Sequence, residues 1–169
     1  MSRHLSRYTE SGGDGDGVRH DAVYDEVTHW FFDDYLPTWV GVAAGRIARG
    51  PEFILDYWAA PLHYSTEQGG QWFCDASAVV QLLEETQARL RADGYGYTDV
   101  PDHKVSVYHD NGAAMEVIWS RRRVDGTEIE RLAAHFELSR SQQGWRIVGI
   151  QTFSTTADTL SAAWLGSQS

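Results

Sequence analysis

The spacing of apolar positions in the first half of the chain predicts helices. One helix is expected from Asp21 to Leu36, and Pro37 ends it. Its apolar side chains share a single stripe, which consists of Val23, Val27, Trp30 and Phe31. The segments 38–49 and 52–59 are expected to form two further, shorter helices.

A longer helix is predicted before Gly94, because glycine readily adopts the left-handed conformation that stops a helix. Asp75 or Ser77 can cap its first turn. One stripe of this helix carries Val79, Val80, Leu83, Gln87 and Leu90, all apolar except Gln87. Between the helical regions, a short hairpin is expected from residues 62–66 and 71–74, turning around Gly69-Gly70.

The second half of the chain has the pattern of an antiparallel sheet. Two turn dipeptides, Asn111-Gly112 and Asp125-Gly126, separate runs rich in β-forming residues, and a longer loop covers residues 141–144. The predicted meander has strands at 103–110, 113–124, 127–140 and 145–153. A short helix is expected at 157–165, beside this sheet.

Counting outward from two-residue turns sets the strand register, with Asp110 opposite Ala113 and Val124 opposite Thr127. One face then carries large apolar side chains and is expected to meet the helices and line any cavity. Its members are Tyr108, Met115, Val117, Trp119, Leu132, Ala134, Phe136 and Leu138.

The opposite face of the predicted sheet is mixed. It carries Val105, Val107, Ile118 and Ala133, together with Glu116, His135 and Glu137. Such a surface is typical of a sheet that packs on a partner subunit or is partly wetted. Glu116 lies directly opposite His135, and the two form either a structural cross-strand pair or a catalytic dyad.

The predicted helices are followed by a closing meander that contains the motifs 114–119 (AMEVIW), 124–126 (VDG) and 144–147 (GWRI). In this order of elements and in these motifs, residues 21–153 resemble the nuclear transport factor 2-like (SnoaL-like) superfamily. The resemblance implies an α+β fold in which a cone-shaped, curved antiparallel sheet wraps around N-terminal helices and encloses a pocket. Similar proteins include ketosteroid isomerases, scytalone dehydratases, polyketide cyclases, epoxide hydrolases and noncatalytic binding modules. The resemblance also implies a homodimer formed through the sheet.

The domain organisation expected from these patterns is a flexible tail at 1–18, one α+β domain at 19–156, and a short helix with a tail at 157–169. The tail is expected to be flexible because its Gly/Asp-rich sequence offers little apolar surface to a core.

The composition of the chain limits which partners it can bind and which cellular compartment is expected for it. The net charge of −10, from 24 acidic and 14 basic side chains, would repel nucleic acid. The chain has no apolar run long enough for a membrane span and no apolar signal segment, so a cytoplasmic protein without a membrane partner is expected. Its lone cysteine, Cys74, excludes an internal disulfide. We find no motif for a cofactor or a metal ion.

Asp34 is the principal catalytic candidate, because helical spacing places it within the apolar stripe of the first helix. A desolvated carboxylate could act as a general acid or base near neutral pH, whereas a solvated carboxylate at the helix end would be inert. His63 is the candidate proton shuttle or partner of Asp34, with a purely structural role as the alternative.

The candidate substrate-binding residues are aromatic or lie on the apolar sheet face. Tyrosine hydroxyls can hydrogen-bond an oxygen of the substrate, and flat rings can wall a pocket. These candidates are Tyr35, Tyr57, Trp72, Tyr108, Met115, Trp119 and Phe136. The basic run 121–123 is opposed by Glu128 and Glu130, and is interpreted as cross-strand charge pairing rather than an anion site.

Two functions remain open at this point. One is a cofactor-independent isomerase, dehydratase or cyclase that acts by proton transfer on a hydrophobic, oxygenated small molecule. The other is a noncatalytic ligand-binding or dimerisation module.

Overall fold

The computed structural model describes residues 13–167, and side chains from 15 to 166. The helical elements are α1 (Gly13–His29), a π-helical segment (Trp30–Tyr35), α2 (Leu36–Ala43), a 3₁₀-helix (Pro51–Asp56), α3 (Ala76–Ala92), α4 (Leu160–Ala163) and a final 3₁₀ turn (Leu165–Ser167). The strands are β1 (Trp58–Thr66), β2 (Gly69–Phe73), β3 (Tyr95–Asp99), β4 (His103–His109), β5 (Gly112–Arg123), β6 (Glu128–Ser141) and β7 (Gly144–Ser154).

The fold is α+β, as expected, and its seven strands form one sheet in the order β2-β1-β7-β6-β5-β3, with β4 also paired to β5. The predicted meander and the β1–β2 hairpin are confirmed, but the hairpin turns at Glu67-Gln68 rather than around Gly69-Gly70, since Thr66 pairs with Gly69. The sheet is mostly antiparallel, as expected, and the pairing that departs from this pattern among the described strands is the parallel one of β1 with β7. Turn signals report only neighbours in the chain, so they could reveal neither this long-range pairing nor β3.

The helix boundaries follow local backbone chemistry. Asp75 caps α3 by accepting a hydrogen bond from the Ala78 backbone N–H at 2.9 Å. The helix expected at 38–49 is shorter, because α2 ends at Ala43 and Gly45 turns the chain with a φ of 73°. The segment 52–59 divides into the 3₁₀-helix and the beginning of β1.

The N-terminal region differs from the expected flexible tail. Residues 1–12 lie outside the described residues, whereas residues 13–17 belong to α1. Side chains 15–22 are exposed, so this part of α1 projects beyond the packed helix. Helix propagation from the packed turns adds one hydrogen bond per residue, and an ion pair from Arg19 to Asp110 ties the extension to the end of β4.

The core stripe of the first helices advances in steps of four residues. Its buried members are Val23, Val27, Phe31, Tyr35 and Trp39. Four-residue steps drift around a regular α-helix, which has 3.6 residues per turn. The wider π-helical turn at Trp30–Tyr35 compensates for this drift, and the same rotation moves Asp34 away from the stripe.

The β5–β6 register matches the prediction from Gly112 to Arg121, and Glu116 lies opposite His135, but an irregularity next to the turn places Arg122 opposite Glu128. The register predicted for β4 and β5 is wrong, because Val107 rather than Asp110 pairs with Ala113. The turn residues are Asp110-Asn111, where the Asn111 N–H donates to His109 Nδ1 at 3.2 Å. The ring of His109 lies where a side chain at position 112 would stand, which a glycine permits.

The observed register differs from the predicted one by an odd number of residues. Each side chain of β4 therefore lies on the face opposite to the expected one. Val105 and Val107, which were expected on the mixed face, pack against the main core. Tyr108, which was expected on the cavity face, is 56% exposed. We call the sheet face that meets the helices the inner face and the opposite one the outer face.

The C-terminal segment covers part of the outer face. Leu160 and Ala163 of α4 pack on Ile118 and Ala133 and form a small second core. The Leu160 backbone N–H donates to Asp102 at 2.8 Å, and Arg131 forms an ion pair with Asp158. Within residues 13–167, every helix is too short or too polar to cross a membrane.

Candidate functional site

A cavity of about 40 Å³ lies between the helices and the inner face of the sheet. Six aromatic side chains line it: Tyr35, Trp39, Trp58, Tyr64, Trp119 and Phe136. Leu36, Leu132 and Ile150 add aliphatic surface. Three of the predicted substrate-binding residues, Tyr35, Trp119 and Phe136, therefore line this cavity.

Strand alternation and the π-helical turn bring these aromatic rings together. Trp119 of β5 and Phe136 of β6 both point inward, with ring centroids 5.9 Å apart. Phe31 stacks on Trp119 at 5.9 Å, nearly parallel to it. Tyr35 follows one turn after Phe31 and packs edge-on against it at 5.1 Å. Rings fixed on several sides form a rigid wall.

The Tyr35 hydroxyl is the buried polar group of this wall. It accepts a hydrogen bond from the Trp58 indole N–H at 3.1 Å. Burial raises the pKa of Tyr35 well above its ordinary value, and the Trp58 hydrogen bond offsets only part of this effect. Tyr35 thus remains protonated, and no described residue accepts its proton.

Arg121 adds a positive charge to the cavity lining. Its guanidinium lies 5.1 Å from the ring centroid of Trp39, and its Nη1 donates to Glu130 at 2.6 Å. Glu130 also accepts two hydrogen bonds from Arg89, each 3.2 Å long. Burial raises the pKa of Glu130, but the charge of Arg121 and the hydrogen bonds of both arginines outweigh burial, and the net shift is downward.

Threonine hydroxyls complete the polar part of the lining. Thr86 and Thr98 are already engaged, with the Leu82 carbonyl and the Tyr95 hydroxyl. Thr152 and Tyr64 form no side-chain hydrogen bond with the described residues. Their hydroxyls are therefore available to a bound molecule.

An open groove of about 480 Å³ adjoins the cavity, between the β1–β2 hairpin and α3. Its wall includes Gln71, Phe73, Leu82 and Glu85. Tyr64 lines both the cavity and the groove, so its ring is their common wall.

Asp34 does not occupy the position predicted for it. Its side chain is exposed, which agrees with the alternative of a solvated carboxylate and not with that of a desolvated one. It accepts a hydrogen bond from the Tyr57 hydroxyl at 2.8 Å, in a shallow groove near Glu26, Asp33 and Trp145. The π-helical turn explains this position, since the prediction assumed a regular α-helix.

His63 and Trp72 lie on the outer face. The neighbouring Leu62 is fully buried, so strand alternation directs His63 the other way. His63 pairs with Trp72 across the hairpin, with ring centroids 4.9 Å apart, and Trp72 is 61% exposed. The structure does not bring His63 together with Asp34, and neither residue lines the cavity.

The other predicted site residues also lie outside the cavity lining. Tyr57 is buried beside Tyr35, but its hydroxyl faces Asp34 and Thr38. Met115 is fully buried in the main core. Tyr108 is exposed because of the β4 register.

Glu116 and His135 form the cross-strand pair expected from the register. Their closest atoms, Oε1 and Nδ1, are 3.8 Å apart, and His135 Nε2 lies 3.2 Å from Glu137. All three side chains are on the outer face. The pair thus has no contact with the cavity.

The prediction overlooked Arg121, Trp58 and Trp39 as cavity residues. The sequence did indicate that Arg121 faces the cavity, since it lies two residues after Trp119 on the same strand and thus on the same face. The predicted pairing with Glu130 is confirmed, but it drew attention away from the cavity. Nothing in the sequence indicated that Trp39 and Trp58 meet at one place. Among the described residues, no group of His, Cys, Asp and Glu side chains could hold a metal ion.

Comparison with known proteins supports the fold. A protein with a cystatin-like fold from Novosphingobium aromaticivorans, itself NTF2-like, matches with a TM-score of 0.58 and 18% identity, over 88% of this chain and 94% of that one. A provisionally assigned ketosteroid isomerase from Parabacteroides distasonis matches with a TM-score of 0.51 and 10% identity, over 70% and 84% of the two chains.

A provisionally assigned calcium/calmodulin-dependent protein kinase II association domain from Xanthomonas campestris matches with a TM-score of 0.54 and 14% identity, over 90% and 99% of the chains. No curated protein matches the sequence. The family model described as NTF2-like protein (DUF6841) matches residues 25–155. Since this match spans more than half of the sequence, the chain belongs to the DUF6841 family of NTF2-like proteins.

Proposed function

We propose that this chain binds a small, mainly apolar molecule that carries an oxygen acceptor, in the cavity on the inner face. The observation that carries the proposal is the buried Tyr35 hydroxyl. Trp58 orients it, its own proton has no acceptor among the described residues, and aromatic rings surround it. A buried donor without an acceptor costs free energy, which a ligand oxygen would recover.

The size of the cavity determines how a ligand enters. A volume of about 40 Å³ holds only a few water molecules, since each needs roughly 10–15 Å³ of such space. Ligand sites usually measure about 300–1,000 Å³. The adjoining groove of about 480 Å³ supplies the missing space once Tyr64 rotates. Binding is therefore proposed to open the Tyr64 wall.

The noncatalytic form of this function has the better support. The described residues of the lining include no carboxylate and no imidazole, the groups that most often transfer protons in enzymes. Asp34 is exposed and His63 lies on the outer face. Proton transfer by these two residues is therefore not part of the proposal, and the ketosteroid isomerase likeness is limited to the fold.

Phenol, a neutral aromatic probe with one oxygen, tests this proposal. We expect its titration to shift the indole N–H resonances of Trp39, Trp58 and Trp119 in two-dimensional NMR spectra. The resonance of the exposed Trp72 on the outer face should stay unchanged. Thr152→Phe should abolish the shifts by filling the cavity.

Gln151→Phe is the matched control, because the adjacent side chain on β7 points to the outer face. It should leave the phenol response intact. If phenol leaves the three cavity resonances unchanged at millimolar concentration, the proposal is wrong. An equal loss of response in both variants would also contradict it.

We also propose that the chain forms a homodimer through the outer face. Trp72 and Tyr108 expose 61% and 56% of their surface there, and large exposed aromatic side chains favour association. The surface differs from the expected one, because Val105 and Val107 face inward and α4 covers Ile118. Light scattering should give twice the chain mass, and Trp72→Ala should weaken the dimer. A monomer at high protein concentration would refute this.

A further inference from the structure

We infer that the ligand of the cavity carries a carboxylate, which Arg121 binds. This inference rests on the proposed function and adds the chemical class of the ligand. It requires that Arg121 is held at the cavity, that Arg121 shares its carboxylate partner with another arginine, and that free donors surround the polar end.

Arg121 is held in place on two sides. It lies on the inner face of β5, and its side chain is only 14% exposed. The ring of Trp39 covers its guanidinium, and Glu130 fixes Nη1. A guanidinium that is already ordered loses little conformational entropy when it binds a ligand.

Arg121 shares its carboxylate partner with a second arginine. Arg89 donates to both carboxylate oxygens of Glu130, and Arg121 donates to one of them as well. Glu130 is therefore divided between two guanidinium groups, while the charge of Asp93 acts on Arg89. A partly desolvated positive charge favours an anionic ligand.

The free polar groups of the cavity are all able to donate hydrogen bonds. Nε and Nη2 of Arg121 form no hydrogen bond with the described residues, and the protons of Tyr35, Tyr64 and Thr152 are also unused. An ionised carboxylate is an acceptor only, with about four lone-pair sites on two oxygens. It therefore matches Arg121 better than an amine or the N–H groups of an amide, which cannot hydrogen-bond to a guanidinium.

The shape of the cavity favours a carboxylate over a phosphate. The wall is flat and aromatic, and a single guanidinium with free donors faces it. A phosphate dianion would bring a second charge into this apolar space without a partner, and an uncompensated buried charge is costly. A planar carboxylate on an aromatic or other apolar body fits both the walls and the charge.

Benzoate and benzamide form the matched pair of probes, since they share shape but differ in charge and donors. We expect benzoate to bind the wild-type protein about 10-fold or more tightly than benzamide, as a charge-assisted hydrogen bond is lost in the amide. The indole N–H resonances of Trp39, Trp58 and Trp119 report the binding of either probe. This comparison requires no variant.

Arg121→Met removes the charge while keeping a side chain of similar reach, and Glu130 keeps both hydrogen bonds from Arg89. Benzoate affinity should fall about 10-fold or more, and benzamide affinity should change little. Arg89→Met lowers the positive charge of the same cluster but leaves the donors of the cavity lining in place, so it should weaken benzoate binding less than Arg121→Met does. Circular dichroism verifies that each variant is folded.

The outcomes separate the inference from the proposed function. If neither benzoate, benzamide nor phenol shifts the cavity resonances, ligand binding itself is wrong. If benzamide binds the wild-type protein as tightly as benzoate, the cavity binds ligands but the carboxylate assignment is overturned. The same holds if Arg121→Met weakens both probes equally, or if Arg89→Met weakens benzoate as much as Arg121→Met does.

Discussion

The inner and outer faces of the sheet are built from the same strands and follow the same alternation, yet they have different environments. On the inner face, Trp119 is 4% exposed and packs between Phe31 and Phe136. On the outer face, Trp72 is 61% exposed and contacts His63. Alternation decides which residues share a face, whereas the elements that pack on each face decide which residues are buried.

Charged residues show the same contrast. Glu130 on the inner face is held by two arginines, and its pKa is lowered despite burial. Glu137 on the outer face pairs with His135 at 3.2 Å and is 44% exposed. Similar carboxylates on one strand therefore differ in what they contribute to stability. The following predictions test this contrast between the faces.

The largest effect is expected for tryptophan truncation. Trp119→Ala should lower the free energy of unfolding by about 3–5 kcal/mol, because it removes a buried ring and leaves a cavity. Trp72→Ala should change it by less than about 1 kcal/mol. Urea denaturation, followed by fluorescence at the lowest practical protein concentration, measures both. Equal effects would mean that the two faces are not distinct.

The part of the outer face beneath α4 should behave like a core. Leu160 is 8% exposed against Ile118 and Ala133, and Leu160→Ala should cost about 2 kcal/mol. Leu165→Ala is the matched control, since Leu165 is 73% exposed and should tolerate truncation. A neutral result for Leu160→Ala, measured by chemical denaturation, would show that the C-terminal segment does not hold to the sheet.

Glu130→Gln should destabilise the protein by about 1–2 kcal/mol at pH 7, because it removes a paired carboxylate and leaves two arginines facing each other. The direction in which this stabilisation changes with pH follows from the lowered pKa of Glu130. The ionised Glu130 stabilises the fold above its ordinary pKa of 4.5, and this contribution is lost as the pH falls through the lower pKa of the folded state.

The difference between wild type and Glu130→Gln should thus be constant above pH 5 or so and shrink in more acidic solution. Urea midpoints from pH 7 to pH 3 measure it. Glu137→Gln is the control on the outer face and should change stability by less than about 0.5 kcal/mol. A Glu130→Gln difference that grows as the pH falls would contradict the ion-pair assignment.

The smallest effect is expected for Asp34→Asn. Asparagine keeps an oxygen that can accept the hydrogen bond from Tyr57, and the side chain is exposed. The free energy of unfolding should change by less than about 0.5 kcal/mol. An increase of 1 kcal/mol or more would revive the hypothesis of a strained, desolvated carboxylate at this position.

Much of the fold was predictable from local patterns. The α3 stripe, the β5–β6 register and the Glu116–His135 pair all follow from short-range spacing and from one turn. The β4–β5 register failed because Asn111-Gly112 resembles a two-residue turn, whereas the contact between His109 and Gly112 places the turn one residue earlier. Three of the seven predicted substrate-binding residues reached the cavity, and the two catalytic candidates did not.

The sequence by itself determined what depends on local chemistry: the helix caps, the alternation of the long strands, the NTF2-like architecture and the pairing of Arg121 with Glu130. Only the tertiary structure decided which surfaces meet. The π-helical turn moved Asp34 into solvent by a rotation that a periodic pattern cannot reveal. The pairing of β1 with β7, and the meeting of Tyr35, Trp58 and Arg121 at one cavity, join positions far apart in the chain. Such contacts arise from packing across the whole domain, so no local window of the sequence contains them.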